Sequence, residues 1–215
     1  MSVAANLNSF KKNLPSTVEL VAVSKTKPPA LIEEAYAAGQ RHFGENKIQE
    51  MTAKWEVLPK DIAWHMIGHV QTNKVKYMAP YVHLIHGVDS EKLLKEINKQ
   101  GLKNNRCIDC LLQVFIANET TKFGLAFEAV LPLIEKSCSM DNVRVVGLMG
   151  MASFSENPHQ VGAEFGALKK LFLDAKKYFS QVKILSMGMS GDYQIAIEQE
   201  SNMIRIGSKI FGSRH

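Results

Sequence analysis

Short apolar stretches alternate with longer amphipathic segments from residue 18 to the end of the chain. The short stretches are rich in β-branched residues, and runs of this kind between polar segments predict buried strands. The predicted strands are Val18–Ser24, Arg41–Gly44, Ala63–Gly68, Val82–His86, Cys107–Ile116, Val143–Met149, Lys183–Met187 and Met203–Ile206.

The longer segments between these strands have the period of amphipathic helices. In Asn46–Leu58 and in Pro158–Phe179, apolar residues recur every three or four positions, which places them on one helical face. Asn157 is expected to cap the second of these helices, with Pro158 in its first turn.

Strands that alternate with helices predict an α/β fold with a parallel sheet, because parallel neighbours need crossover connections. Eight such units match a single (β/α)8 TIM barrel. An open doubly wound sheet is the alternative, but the first strand is not followed by the motif G-x-G-x-x-G that such sheets use to bind dinucleotides. The sequence at the end of this strand is V-S-K-T-K. No linker rich in Pro, Gly or Ser divides the chain, so residues 1–215 are expected to form one domain.

Composition and charge narrow the class of protein. The chain of 215 residues is 46% apolar and 22% charged, as in ordinary globular proteins. Three cysteines are too few for a secreted disulfide framework, and neither a leader nor a bilayer-spanning run is apparent, which predicts a cytoplasmic location without membrane attachment. The net charge of +5 favours anionic ligands. The basic residues are scattered, so dedicated nucleic-acid binding is not expected.

In a β/α barrel, function collects at the carboxyl ends of the strands, and Lys25 closes the first predicted strand. A desolvated lysine has a lowered pKa and can attack an aldehyde as an amine nucleophile. The alternative interpretation is a lysine at the strand end whose side chain simply extends into solvent.

The seventh strand ends in S-M-G-M-S at positions 186–190. Strand alternation would place Ser186, Gly188 and Ser190 on one small, polar face and the two methionines on the other. A ligand against the small face would explain this pattern. A tight barrel layer, with Ser190 or Asp192 capping the next helix, is the alternative.

Arg205 lies within the eighth strand and shares a face with Met203 and Gly207. A buried arginine needs hydrogen-bonding partners, so either a structural ion pair or a ligand contact is expected. Gly207 and Ser208 offer backbone N–H groups and a hydroxyl at the strand end, which suit a phosphate.

Five motifs occur in order between residues 18 and 214: V-S-K-T-K-P, F-G-E-N-x-x-Q-E, W-H-x-I-G-x-x-Q-x-N-K, S-M-G-M-S and R-I-G-x-x-I-F-G. As an ordered set they resemble the YggS/PROSC family of pyridoxal 5′-phosphate (PLP) homeostasis proteins. The resemblance implies a β/α barrel related to the N-terminal domain of alanine racemase, with PLP as the cofactor. The chain departs from the pattern at Lys47 and His69, where many relatives have an aromatic residue and a proline.

The resemblance also implies roles for particular residues. Lys25 would form the Schiff base with PLP, and Arg205 would face the pyridine nitrogen. The other implied cofactor contacts are Ser190, Gly207 and Ser208 at the phosphate and Asn46 beside the cofactor, and Lys122 resembles a second lysine near the pocket.

An arginine at the pyridine nitrogen has a chemical consequence. A guanidinium only donates hydrogen bonds, so it leaves the ring nitrogen unprotonated and makes PLP a poorer electron sink. The chain ends at His215, where alanine racemases continue into a β domain that carries a tyrosine base. The expected function is therefore PLP buffering or delivery to apo-enzymes by a monomer, with no catalytic residues. The alternatives are a PLP-dependent amino-acid racemase of low activity, and a nucleic-acid-binding or scaffold protein with a vestigial site.

Two other groups of residues are interpreted as structural. Cys107 and Cys110 suggest a redox or metal pair, but a three-residue offset on a strand places them on opposite faces and no second C-x-x-C occurs, so buried small residues are expected. The histidines lack the spacing of a metal site with a carboxylate partner, so no metal is predicted. Those considered are His65, His69, His83 and His86.

Overall fold

The computed structural model describes residues 2–117 and 123–212, so Lys122 lies outside the described residues. Eight parallel strands pair in sequence order and close into a barrel, with the first strand beside the last. This confirms the predicted fold class. The strands are β1 (Glu19–Val23), β2 (His42–Glu45), β3 (Ala63–Met66), β4 (Leu84–Val88), β5 (Ile108–Gln113), β6 (Val143–Met149), β7 (Ile184–Ser186) and β8 (Met203–Ile206).

Helices cover the outside of the barrel, at least one after each strand. They are α1 (Val3–Lys12), α2 (Pro29–Ala37), α3 (Ile48–Val57), α4 (Val75–Met78, preceded by a 3-10 turn at Thr72–Lys74), α5 (Glu91–Lys103), α6 (Phe127–Ser137), α7 (Pro158–Tyr178), α8 (Tyr193–Glu198) and α9 (Ser208–Phe211). Among helices in the described part of the chain, none has the length and apolarity needed to cross a bilayer.

The predicted cap of α7 is confirmed, because Asn157 Oδ1 accepts a hydrogen bond from the backbone N–H of His159 at 3.0 Å. Helix α1 is tied to the end of the chain: Asn6 Nδ2 donates to the carbonyl of Ile210, in α9, at 3.1 Å. Helix α1, which precedes β1, therefore packs against α9, which follows β8.

Alternation along the strands sorts side chains into two buried layers. Ile204 and Ile206 of β8 pack outward in the large core between strands and helices, while Met203 packs in a separate cluster inside the barrel. The inner cluster also contains Val21 and Leu84. Arg205 shares the inward parity of Met203, as predicted, and so enters the barrel interior.

The bounds of β6 and β8 agree with the prediction, and the other strands differ from it by one to three residues at one or both ends. The prediction for the seventh strand is wrong beyond Ser186. Gly188 has φ +97°, which breaks the extended backbone. A Cβ at this position would lie 2.6 Å from the Cβ of Ala196, so only glycine fits here.

Candidate functional site

Lys25 lies in a tight turn that directly follows β1. The backbone N–H of Lys27 donates to the carbonyl of Ser24 at 3.0 Å, and between them Thr26 has φ +64°, in the left-handed region. This conformation is costly for a residue other than glycine and persists only where the surroundings enforce it. The turn leaves Lys25 half-buried against a cavity at the carboxyl end of the barrel.

A buried ionic network enforces this turn from below. Lys54 of α3 donates from Nζ to the carbonyl of Ser24 at 2.8 Å and to one carboxylate oxygen each of Glu45 and Glu50 at 2.7 Å. Glu50 in turn accepts the backbone N–H of Thr26 at 2.6 Å. All three ammonium hydrogens of Lys54 therefore have acceptors, and the network joins β2 and α3 to the turn.

Glu45 is the most buried member of this network, with no exposed side-chain surface. Burial raises the pKa of Glu45, while the charge of Lys54 and hydrogen bonds from Lys54 and Ser24 oppose the shift. Among the described residues, Oε2 of Glu45 has no hydrogen-bond partner. The carboxylate faces α3 and not the cavity, so its role is to hold the turn.

Arg205 is buried beneath the cavity floor. Its Nη1 donates to the carbonyl and to Oγ of Ser186 at 2.9 and 2.7 Å, and its Nη2 donates to the carbonyl of Gly150 at 3.2 Å. Burial lowers the pKa of Arg205 to about 10, so the guanidinium remains charged at neutral pH. These contacts use three of its five N–H groups.

The partners of Arg205 decide between the two interpretations of its burial. Within residues 2–117 and 123–212, no carboxylate lies within ion-pair distance of Arg205. The expectation of a structural ion pair is therefore not met by any described residue. The remaining donors are available to an acceptor in the cavity, which Arg205 lines.

The loops after β7 and β8 bring small polar groups together. Ser190 Oγ accepts the backbone N–H of Gly207 at 3.3 Å, which links the two loops, and both residues line the cavity together with Ser208. The methionines do not share a face as predicted: Met187 is fully buried in the outer core, whereas Met189 is 39% exposed and lines the cavity. The turn at Gly188 is the reason for this difference.

Asn46 follows β2 and is half-buried at the cavity wall. The backbone at Gly68, after β3, lies very close to Asn46. A Cβ at position 68 would lie only 2.4 Å from the carbonyl oxygen of Asn46. Glycine at position 68 therefore permits the close approach of the ends of β2 and β3.

The cavity has a volume of about 430 Å³, within the range of small-molecule sites. It collects all six predicted site residues: Lys25, Asn46, Ser190, Arg205, Gly207 and Ser208. Three cationic side chains line it, those of Lys25, Lys27 and Arg205, and no Asp or Glu does so among the described residues. This arrangement suits a phosphorylated ligand.

Several residues that line the cavity were given no site role from the sequence, although His69 was noted there as a departure from the family pattern. Gln113 ends β5 and donates from Nε2 to the carbonyl of Phe123 at 2.8 Å, which closes one wall. His69 stacks on Phe123 with ring centres 4.3 Å apart, and its Nδ1 lies 3.2 Å from Oδ2 of Asp89. Their position at strand ends was a usable signal for both Gln113 and His69.

A chain of hydrogen bonds runs through the barrel interior to Arg205. His42 Nδ1 lies 2.9 Å from His65 Nε2, His65 Nδ1 lies 2.9 Å from His86 Nε2, and His86 Nδ1 lies 3.2 Å from Ser186 Oγ. Burial lowers the pKa of His65 and of His86 well below the ordinary value, so both imidazoles are neutral at pH 7. Ser186 Oγ then accepts from Arg205.

The expectation for the cysteines is correct for one of the two. Cys110 is fully buried in β5, and burial raises the pKa of its thiol. Cys107 precedes the strand and is exposed, contrary to the prediction that both are buried.

A closed β/α barrel with a lysine and an arginine at a cationic cavity on its carboxyl face defines a class of anion-binding barrel proteins. The family model described as alanine racemase, N-terminal domain, matches residues 1–215. A pyridoxal phosphate homeostasis protein of Aquifex aeolicus (strain VF5) is 41% identical over 198 residues, which cover 91% of this chain and 87% of that protein. The chain belongs to the YggS/PROSC family of pyridoxal phosphate homeostasis proteins, within the alanine racemase N-terminal domain family.

Solved structures agree with this assignment. PipY of Synechococcus elongatus PCC7942 with PLP bound is 33% identical, with a TM-score of 0.90 over 98% of this chain and 100% of that one. The alanine racemase of Streptomyces coelicolor A3(2) has a TM-score of 0.84 at 15% identity, over 99% of this chain and 58% of that enzyme. At that identity the second likeness concerns the fold alone.

Proposed function

We propose that this protein holds PLP in the cavity as a Schiff base on Lys25 and acts in intracellular PLP homeostasis, as a buffer or donor of the cofactor. The observation that carries the proposal is the convergence of all six predicted contact residues on one cationic cavity. The PLP bound to the related PipY supports it. Residues 1–215 would form one domain that acts as a monomer and meets apo-enzymes only transiently.

The residues of the cavity offer contacts to two parts of PLP, its phosphate and its aldehyde. Ser190, Gly207 and Ser208 provide hydroxyl and backbone N–H groups at loops after β7 and β8, suited to the phosphate. Lys25 follows β1, the strand that pairs with β8, so it lies beside the loop that carries Gly207 and Ser208. PLP, when bound, supplies an aldehyde whose oxygen leaves as water when a lysine nitrogen takes its place, and a ring that withdraws electrons.

The fixed position of Arg205 supports a holding role over a catalytic one. Its guanidinium is held by Ser186 and Gly150, and it can only donate to a ring nitrogen. A ring nitrogen that accepts from arginine stays unprotonated, which weakens electron withdrawal.

A racemase also needs a second base, and the tyrosines do not provide one. None of the five tyrosines, all of them described, lines the cavity. Tyr81 stacks on Trp55 with ring centres 4.4 Å apart, and burial raises its pKa to about 12. A phenol that stays protonated at neutral pH and does not line the cavity does not serve as the second base, which supports the holding role.

The test is the visible spectrum of purified protein with PLP, followed by borohydride reduction and mass mapping. We expect one reduced adduct, located on Lys25, and loss of the visible band in Lys25→Ala. Lys47→Ala, which removes an exposed lysine beside Asn46, is the control and should keep the band. An adduct on Lys27 instead, or a full band in Lys25→Ala, would refute the proposal.

His69 is the observation that favours weak racemase activity as a second candidate. It lines the cavity and is 43% exposed, and its pairing with Asp89 is the arrangement of an oriented proton acceptor. Exchange of the α-proton of amino acids in deuterated water would detect such activity. Exchange that is present in the wild type and lost in His69→Gln would establish this candidate, and absence of exchange would eliminate it.

A further inference from the structure

Three imidazoles meet at the amino-terminal end of the barrel, opposite the cavity. His42 is the first residue of β2, His65 lies in β3, and His83 directly precedes β4. One ring nitrogen of each lies within 4.8 Å of those of the other two. Nothing in the proposed function uses this cluster.

The spacing of the rings resembles that imposed by a metal ion. The ring centres are separated by 5.1 Å for His42–His65, 5.2 Å for His65–His83 and 5.5 Å for His42–His83. A tetrahedral zinc ion with Zn–N distances of about 2.0–2.1 Å places ligand nitrogens about 3.3 Å apart and ring centres about 5 Å apart. His42 Nδ1 and His65 Nε2 now lie 2.9 Å apart, so a small outward shift of one ring would admit the ion.

The nitrogens that point away from the cluster have the partners expected around a metal site. His65 Nδ1 bonds to His86 Nε2 at 2.9 Å, and His42 Nε2 lies 3.8 Å from the Glu19 carboxylate. Such outer partners fix the orientation and tautomer of ligating histidines. The cluster is therefore pre-oriented and has a nearby negative charge.

Access to the cluster is one-sided. His65 is fully buried, His42 is partly exposed and His83 is exposed, so the open face is toward solvent. An ion could enter from this face and keep a water molecule in its fourth position, as in open three-histidine sites.

We propose that His42, His65 and His83 form a binding site for a divalent transition metal ion of the zinc class, with water as the fourth ligand. The site is separate from the cavity proposed for PLP, because it lies at the other end of the barrel. The proposal departs from the expectation of no metal because His42, on the strand next to that of His65, was not among the histidines considered in the sequence.

The probes are Co²⁺ and Zn²⁺ added to metal-free protein without an affinity tag. We expect one Co²⁺ per chain with the intense visible absorption of tetrahedral coordination, displaced by one Zn²⁺. His83→Ala removes an exposed ligand without disturbing the core and should weaken Zn²⁺ binding by at least about 100-fold, and Glu19→Gln should weaken it by about 10-fold.

His159→Ala is the matched control, because His159 is exposed on α7 outside the cluster, and it should bind as the wild type does. A wild type without saturable Co²⁺ binding, or a His83→Ala variant that titrates like the wild type, would overturn the proposal. The circular dichroism of each variant shows that a loss of binding is not a loss of folding.

Discussion

Lys54 Nζ donates to the carbonyl oxygen of Ser24 at 2.8 Å, one residue before Lys25. A buried lysine on α3 thus fixes the backbone from which the proposed PLP-binding lysine projects. Glu45 and Glu50 complete its coordination, so the position of Lys25 depends on a network outside the cavity.

We expect Lys54→Met to destabilise the fold by about 3 kcal/mol or more, because it leaves the Glu45 carboxylate buried without its cation. It should also reduce the yield of the visible PLP band per folded molecule, since the Thr26 turn loses its support. Urea unfolding and PLP titration measure the two effects. Lys47→Met, an exposed lysine that precedes the same helix, should change neither, and equal effects of both variants would contradict the role of the network.

Gly188→Ala should destabilise the protein by about 1–3 kcal/mol, since φ +97° and the nearby Ala196 Cβ both oppose a side chain. Gly191→Ala in the same loop is the control, because a Cβ there meets no atom within 4 Å. Chemical denaturation compares the two. Similar stabilities for the two variants would show that the turn tolerates an ordinary residue.

Thiol labelling should separate the three cysteines. Cys107 and Cys138 are exposed and should react with a maleimide in the native protein. Cys110 should react only on unfolding, because burial both shields its thiol and raises its pKa. Mass mapping checks the order of labelling, and native labelling of Cys110 or a Cys107–Cys110 disulfide would contradict it.

Glu91 should make stability depend on pH in the acid range. Hydrogen bonds from Lys136 and Lys95 lower its pKa from 4.5 to about 2. A group with a depressed folded-state pKa stabilises the fold above its unfolded value, and this stabilisation is lost as the pH falls toward the folded value. Glu91→Gln should therefore have a lower thermal midpoint than the wild type at neutral pH. Near pH 2 the two midpoints should be similar. A gap in thermal midpoint that persists at the acid end would contradict this assignment.

The barrel was predictable because every strand is a separate apolar run. The burial of such a run can be inferred from its own residues, without knowledge of the rest of the fold. The resemblance to the family singled out the six predicted site residues, and they gather at one cavity because the carboxyl ends of parallel strands meet at one face of a closed barrel. Gly188 shows the limit: within S-M-G-M-S, no local signal distinguishes a continued strand from a turn, so the methionines were placed wrongly. The link between His42, His65 and His86 was also hidden, because it depends on the register between three strands.

The hydrogen bonds of the histidine chain in the barrel interior must all run in one direction. Neutral His65 and His86 each carry one ring hydrogen, so the tautomer of one dictates that of the other. When His65 donates toward His86, His86 must donate toward Ser186; when Ser186 donates, the whole order reverses. The direction of the hydrogen bond at His42, at the amino-terminal end of the barrel, is therefore coupled to that at Ser186, which contacts Arg205. A purely aliphatic barrel core would contain no such hydrogen-bonded link between its two ends.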